Sequence, residues 1–314
     1  MMPREIIAEA WAMTKREKAM RRWGFVASLL QTLLSLKLLI YQSWFFYLYV
    51  IKGETISFFA MEELFLTYMS PGVAWTLIIT IFAMVAIELV FPHFAQGAVI
   101  GLAAKSHTKQ PVRGGLVLAL YNFMPILIAH EIFVFASLST VVTVGSLMIR
   151  YGPSGDFILL PLWFLVFLWV FSNLLKIICS FTEEAIVIDK LNVFAALGKS
   201  IKLILSHLGH VVFLFLLLIV ISLRIIINLL MLLIIPGIII GVGLLLATFL
   251  PNSISFTISG IFGFAGVVVA AYFFSYLTVF KQTVWTITYL ELSKLKDVDI
   301  ITEAAEKNMG KSEE

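Results

Sequence analysis

The chain has 314 residues, of which 61% are apolar and only 13% charged, and its mean hydropathy is +1.03. A soluble domain carries roughly 25% charged residues, and a chain of this length cannot enclose enough core to hide so much apolar surface from water. Composition therefore excludes a water-soluble fold, and the net charge of +3 matters mainly through where the cations sit.

The apolar runs are continuous rather than alternating with polar residues, which argues against a membrane β-barrel. Helices remain as the way to satisfy backbone polar groups in lipid. The expected fold is an all-α, polytopic membrane helix bundle. The single cysteine, Cys179, excludes an intramolecular disulfide framework and reads as an apolar filler. Residues 1–22 are polar and helical, so no cleavable leader is expected.

In chain order, residues 1–24 read as an amphipathic helix lying on the membrane surface. Ile6, Ile7, Ala10, Trp11, Met13 and Met20 supply its apolar contacts, and Lys15, Arg16, Lys18, Arg21 and Arg22 crowd its end. Such a basic segment suits anionic lipid headgroups and marks the cytoplasmic side of the first span. Six spans are expected at about 25–50, 73–102, 116–149, 157–181, 211–235 and 255–280. The third holds Pro125 and is long enough to be kinked. Residues 182–210 read as a second surface helix, with Val193, Ala196, Leu197, Ile201, Leu205 and Leu208 on its apolar face. Pro236–Gly237 breaks the long apolar run that begins at Val211, leaving 238–250 as an outer-leaflet or re-entrant half-helix. The remainder, 296–314, is a charged tail. The basic clusters, at Lys15–Arg22, Lys105–Arg113, Lys190–Lys202 and Lys281–Lys296, share one side only if the span count is even. Both termini are then cytoplasmic, in a bacterial-type cytoplasmic membrane. Two short segments echo each other: Lys109, Val112, Leu116 and Leu120 share their spacing with Lys190, Val193, Leu197 and Ile201.

Residues 9–25, EAWAMTKREKAMRRWGF, contain Trp11, Thr14, Lys18, Trp23, Gly24 and Phe25; residues 181–204 contain Val187, Ala195, Leu197 and Ser200. These stretches resemble a bacterial family of six-span proteins labelled a glycerophosphodiester phosphodiesterase membrane domain, similar to the YciC-like inner-membrane proteins. The resemblance implies a six-span topology and no settled activity. It does not import an enzyme, because a phosphodiesterase of that type needs a barrel domain with His and Glu metal ligands at its mouth.

The residues that could carry function are ionisable groups inside apolar runs. Arg224 stays charged in any protein environment, and in hydrocarbon it costs about 2.5–3.5 kcal/mol on a lenient scale. Its expected partners are Glu88 and Glu131, with Lys37 as a second cation and His130 and Asn228 completing the hydrogen bonds. The set reads either as a polar pathway or as a static clasp between spans. Gly260, Gly263 and Gly266 give the last span a small-residue face suited to close helix packing. His207 and His210, with Glu183 and Glu184, are too loose a set for metal, and His93 after Pro92 reads as a kink residue. No nucleophile elbow, phosphate loop or dinucleotide fingerprint is present, and the basic loops lack the aromatic interleaving of nucleic-acid grooves. No cofactor or metal is expected. The expected function is non-enzymatic: binding or passing a small polar or lipid-like solute, with membrane lipids as partners. The alternative is a scaffold or subunit of an envelope assembly, with a membrane-protein partner.

Overall fold

The computed structural model describes residues 2–53, 63, 66–67, 69–151, 159–216, 218–219 and 241–294. Arg224, Asn228, Pro236 and Gly237 lie outside the described residues, as does the tail 296–314. All regular structure among the described residues is helical. The helices are α1 (Pro3–Arg16), α2 (Lys18–Phe46), α3 (Pro71–His107), α4 (Gly115–Glu131), α5 (Leu138–Tyr151), α6 (Leu159–Ile178), α7 (Thr182–Asp189) and α8 (Val193–Ser206). They are followed by α9 (Leu208–Leu216), bent 91° from α8, a short helical stretch at 241–247, and α10 (Asn252–Lys294).

Among the described residues, three helices are long and apolar enough to cross a membrane: Pro71–His107, Leu159–Asp189 and Thr257–Lys294; the bent α8–α9 pair makes a fourth if it counts as one span. Their outward surfaces agree with that. Trp75, Ile79 and Phe82 on α3, Leu160, Trp163 and Phe167 on α6, and Phe262 and Phe273 on α10 are all more than half exposed. A belt of this kind is a solubility liability in water and the ordinary outer face of a protein solvated by lipid. The protein is membrane-embedded.

The bundle is built around α3, which packs between α2, α4 and α10, with α7 against it and α4. The 37 residues of α3 make a rod of about 55 Å, against roughly 30 Å of hydrocarbon. Its two halves meet different surroundings. Residues 73–90 mostly face outward, whereas Ala95 and Gly97 to Ala103 are buried by protein. Small residues permit that burial. A methyl group on Gly101 would lie 2.7 Å from Cδ1 of Leu118 on α4, and one on Gly97 would lie 3.1 Å from Cδ1 of Ile126. Likewise Gly24 on α2 admits Val279 of α10, where a Cβ would collide with Cγ2 of that valine. The close-packing glycines thus include Gly24, Gly97 and Gly101, with Gly115 against Trp23 and Gly243 against Ser259. Gly260 is exposed with nothing within 4 Å of an added Cβ, and Gly263 and Gly266 are half-buried.

Several expectations meet a different arrangement. The apolar stripe of α1 faces protein where lipid was expected: Ile6, Ala10 and Met13 pack on Leu214, Leu218, Phe280, Val284 and Ile287. The reason is α10, which continues 14 residues past the expected end of its span and offers an apolar wall beside α9. The 116–149 run is continuous helix through Pro125, within α4. It breaks after Glu131 instead, through a short 3-10 turn at Val134–Ala136, before α5 begins. In α8 the buried face is Ala196, Ser200, Leu203 and Ile204, rotated from the expected one. Ile201, Leu205 and Leu208 point outward. The segment 241–247 returns against α10, where the Ser255 hydroxyl donates to the Gly243 carbonyl. The paired segments echo each other in one turn: Lys109 and Lys190 both take left-handed backbone at φ 57°, the two non-glycine residues to do so among the described ones. The likeness stops there, since α4 starts six residues after its lysine and α8 three.

Candidate functional site

Polar side chains are strung along α3 from its lipid-facing half into its protein-covered half. The outermost is Glu88, whose side chain is fully buried. Its Oε1 accepts from Nζ of Lys37 on α2 at 2.7 Å, and about a third of the Lys37 side chain remains exposed. Oε2 of Glu88 is buried with no hydrogen-bond partner among the described residues. Sequence placed these two charges at a similar depth, and the antiparallel course of α2 and α3 brings them together.

Five residues further along α3, about 7–8 Å of helix, His93 packs against His130 of α4, with ring centroids 4.1 Å apart and planes tilted by 49°. His93 Nδ1 is buried without a partner. Glu131, next to His130 in sequence, points outward and is exposed. Successive helical positions diverge by about 100°, so a His–Glu dipeptide cannot put both side chains into one interior.

The third layer is the most connected. Gln96 of α3 donates through Nε2 to Oε2 of Glu183, and the same nitrogen lies 3.5 Å from Oε1 of Gln282 on α10. Gln282 in turn donates from Nε2 to Oε1 of Glu184 at 2.8 Å. Glu184 is 1% exposed, and its Oε2 has no partner. Four side chains from three helices therefore form one hydrogen-bonded chain, Glu183–Gln96–Gln282–Glu184. Lys176, exposed near the end of α6, lies within electrostatic reach of Glu183, His93 and His130.

Local sequence explains why this layer forms. FTEEAIVID opens α7 with two carboxylates in its first turn, where the helix dipole favours negative charge. The preceding turn is held by Thr182 Oγ1 donating to the Cys179 carbonyl at 2.7 Å, and by the Phe181 N–H donating to Ser200 Oγ at 3.0 Å. Lys190 caps α7 in left-handed backbone, and Asn192 caps α8 by accepting from the Ala195 N–H at 2.8 Å. Below, Tyr289 and Lys199 both donate to Asp189 Oδ2, the lysine at 2.6 Å.

Of the expected set, the structure joins Lys37 to Glu88, pairs His130 with His93 and leaves Glu131 outside; Arg224 and Asn228 fall beyond the described residues. Gln96 and Gln282 were missed. Each is a lone amide within an apolar helical face, a signal weaker than a charge but of the same kind. Among the described residues, no group of three or more His, Cys, Asp or Glu is placed to hold a metal. His207 bonds its own helix through the Leu203 carbonyl at 3.3 Å. Of the five basic residues at the end of α1 and start of α2, Arg16 is engaged by Glu17 and Ser106, and Arg21 by Tyr276. Lys15, Lys18 and Arg22 are exposed. Comparison with family models, curated proteins and solved structures finds no match to this chain.

Proposed function

We propose that the bundle binds or passes a small polar or lipid-like solute along the polar row on α3, without chemistry on that solute. The observation that carries this reading is that, among the described residues, three buried polar atoms along this row have no hydrogen-bond partner: Glu88 Oε2, His93 Nδ1 and Glu184 Oε2. An unpaired buried acceptor costs about 1–3 kcal/mol, so each calls for water, a proton or a ligand. The proposed setting is a six-span protein of a bacterial-type cytoplasmic membrane, with both termini cytoplasmic and Lys15, Lys18 and Arg22 against anionic headgroups.

Light-scattering swelling of proteoliposomes tests it, with glycerol, urea and glycine as the probes. The expected result is entry faster than in protein-free vesicles, slowed by Glu88→Gln. Equal rates for all three probes overturn it. One observation favours a second reading, a membrane scaffold. Ala95, Ala98 and Ala103 are fully buried, and a Cβ on Gly97 or Gly101 would press on Ile126 or Leu118, so this half of α3 is closely packed against α4. On that reading the swelling rates are unchanged and Glu88→Gln alters stability alone.

A further inference from the structure

We infer that Glu183 and Glu184 form a proton-binding site, with one exchangeable proton held by the pair inside the junction of α3, α7 and α10. This deepens the proposed passage of a polar species by naming the proton as one that the bundle takes up. It rests on that reading only for where the proton goes next.

The argument starts from charge. The two carboxyl groups are consecutive in the first turn of α7, which lies against α3, α4 and α10; Glu184 is buried there and Glu183 half-buried. Each receives one neutral amide, from Gln96 and from Gln282. Neither makes a salt bridge with a described cation within 4 Å; the charge that reaches Glu183 is that of Lys176, from an exposed position. Two adjacent negative charges, met only by the two amides, the N-terminal end of α7 and the distant charge of Lys176, repel each other and lose hydration; a buried ion costs several kcal/mol before compensation. The least costly remedy is to neutralise one of them.

The orphan atom identifies the ligand. Glu184 Oε2 is buried with no partner, although an ionised carboxylate offers about four acceptor sites. Covalent attachment of a proton removes the charge, which is the larger part of the cost of burying that oxygen. A divalent cation would need further ligands, and no group of three suitable donors is present among the described residues. The 3.5 Å approach of Gln96 Nε2 to Gln282 Oε1 joins the two acids into one chain. The proton's position is therefore a property of the pair. The titratable groups around it are His93 of α3, His130 of α4, Lys176 of α6, Asp189 of α7 itself, Lys199 of α8 and Tyr289 of α10, which feels the charge on Glu184.

Infrared spectroscopy of the full chain in liposomes reads the proton directly, through the carbonyl stretch of a protonated carboxylic acid. The expected wild-type spectrum has such a band, shifting in heavy water and disappearing as pH is raised. Glu183→Gln and Glu184→Gln each abolish it, whereas Glu131→Gln, at an exposed carboxylate of α4, leaves it in place. A wild-type spectrum without the band at any pH overturns the inference, and needs no variant to fold. So does a band that survives in both glutamine variants, or one bleached at constant pH by added sodium or calcium. The readout requires no solute movement. Vesicles that fail to swell but keep the band remove the proposed function alone, and vesicles that swell without it remove the proton site alone.

Discussion

Lys37 and Glu88 meet at 2.7 Å between α2 and α3, and they are unequally covered: the carboxylate is fully buried and the ammonium about one-third exposed. That inequality sets how the pair responds to mutation. Removing the lysine strands a buried anion, a change that typically costs about 3–5 kcal/mol. Removing the glutamate leaves a cation on a long stem that can turn toward an interface.

Lys37→Met should therefore destabilise the protein by about 3 kcal/mol, Glu88→Gln by about 1 kcal/mol, and the double variant by less than Lys37→Met alone. Reversible unfolding in mild detergent measures all three. Simple additivity would show that the two groups do not depend on each other.

The glycine contacts divide the chain into crowded and open positions. Gly24→Leu drives a side chain into Val279, and Gly101→Leu drives one into Leu118. Each should cost about 1–3 kcal/mol as overpacking, or separate the helices. Gly260→Leu meets open space and should stay within about 0.5 kcal/mol of wild type. A large loss at Gly260 would reveal a partner helix on that face.

Whether α1 belongs to the bundle is also measurable. Ile6 and Met13 are buried against α9 and α10. Ile6→Ala and Met13→Ala should each cost about 2–5 kcal/mol and speed hydrogen exchange along α1. A helix resting on lipid alone would lose membrane affinity but not bundle stability, so an unchanged unfolding midpoint contradicts the packing described.

Ser200 offers a sharper local test. Its Oγ accepts the Phe181 N–H at the turn between α6 and α7, in a fully buried position. Ser200→Ala leaves that N–H unpaired and should cost about 1–3 kcal/mol. Asn192→Ala, which removes an exposed helix cap, should cost about 1 kcal/mol. If the infrared band assigned to Glu183 and Glu184 also weakens in Ser200→Ala but not in Asn192→Ala, the turn holds the acidic pair in place.

The sequence carried the solvent and the element type. A chain this apolar has no aqueous fold, and uninterrupted apolar runs leave the helix as the way to satisfy the backbone in lipid. It also marked Lys37, Glu88 and His130 as groups that hydrocarbon would not tolerate alone. Such a mark says that a partner is required and is silent about which one. Partner choice depends on helix rotation and on how closely two axes approach. Gly24, Gly97 and Gly101 set that approach, through neighbours remote in the chain.

Only the packed bundle could decide that Lys37 goes to Glu88, that Glu131 faces away, and that two glutamines on different helices meet two adjacent glutamates on a third. The same holds for α1 and α8. Both have apolar residues on more than one face, so periodicity named an amphipathic helix without naming the side that touches protein. In a membrane, lipid and protein interior are nearly equivalent for an apolar side chain. Hydrophobicity therefore fixes that a helix is embedded, and steric fit and buried polar groups fix where it goes.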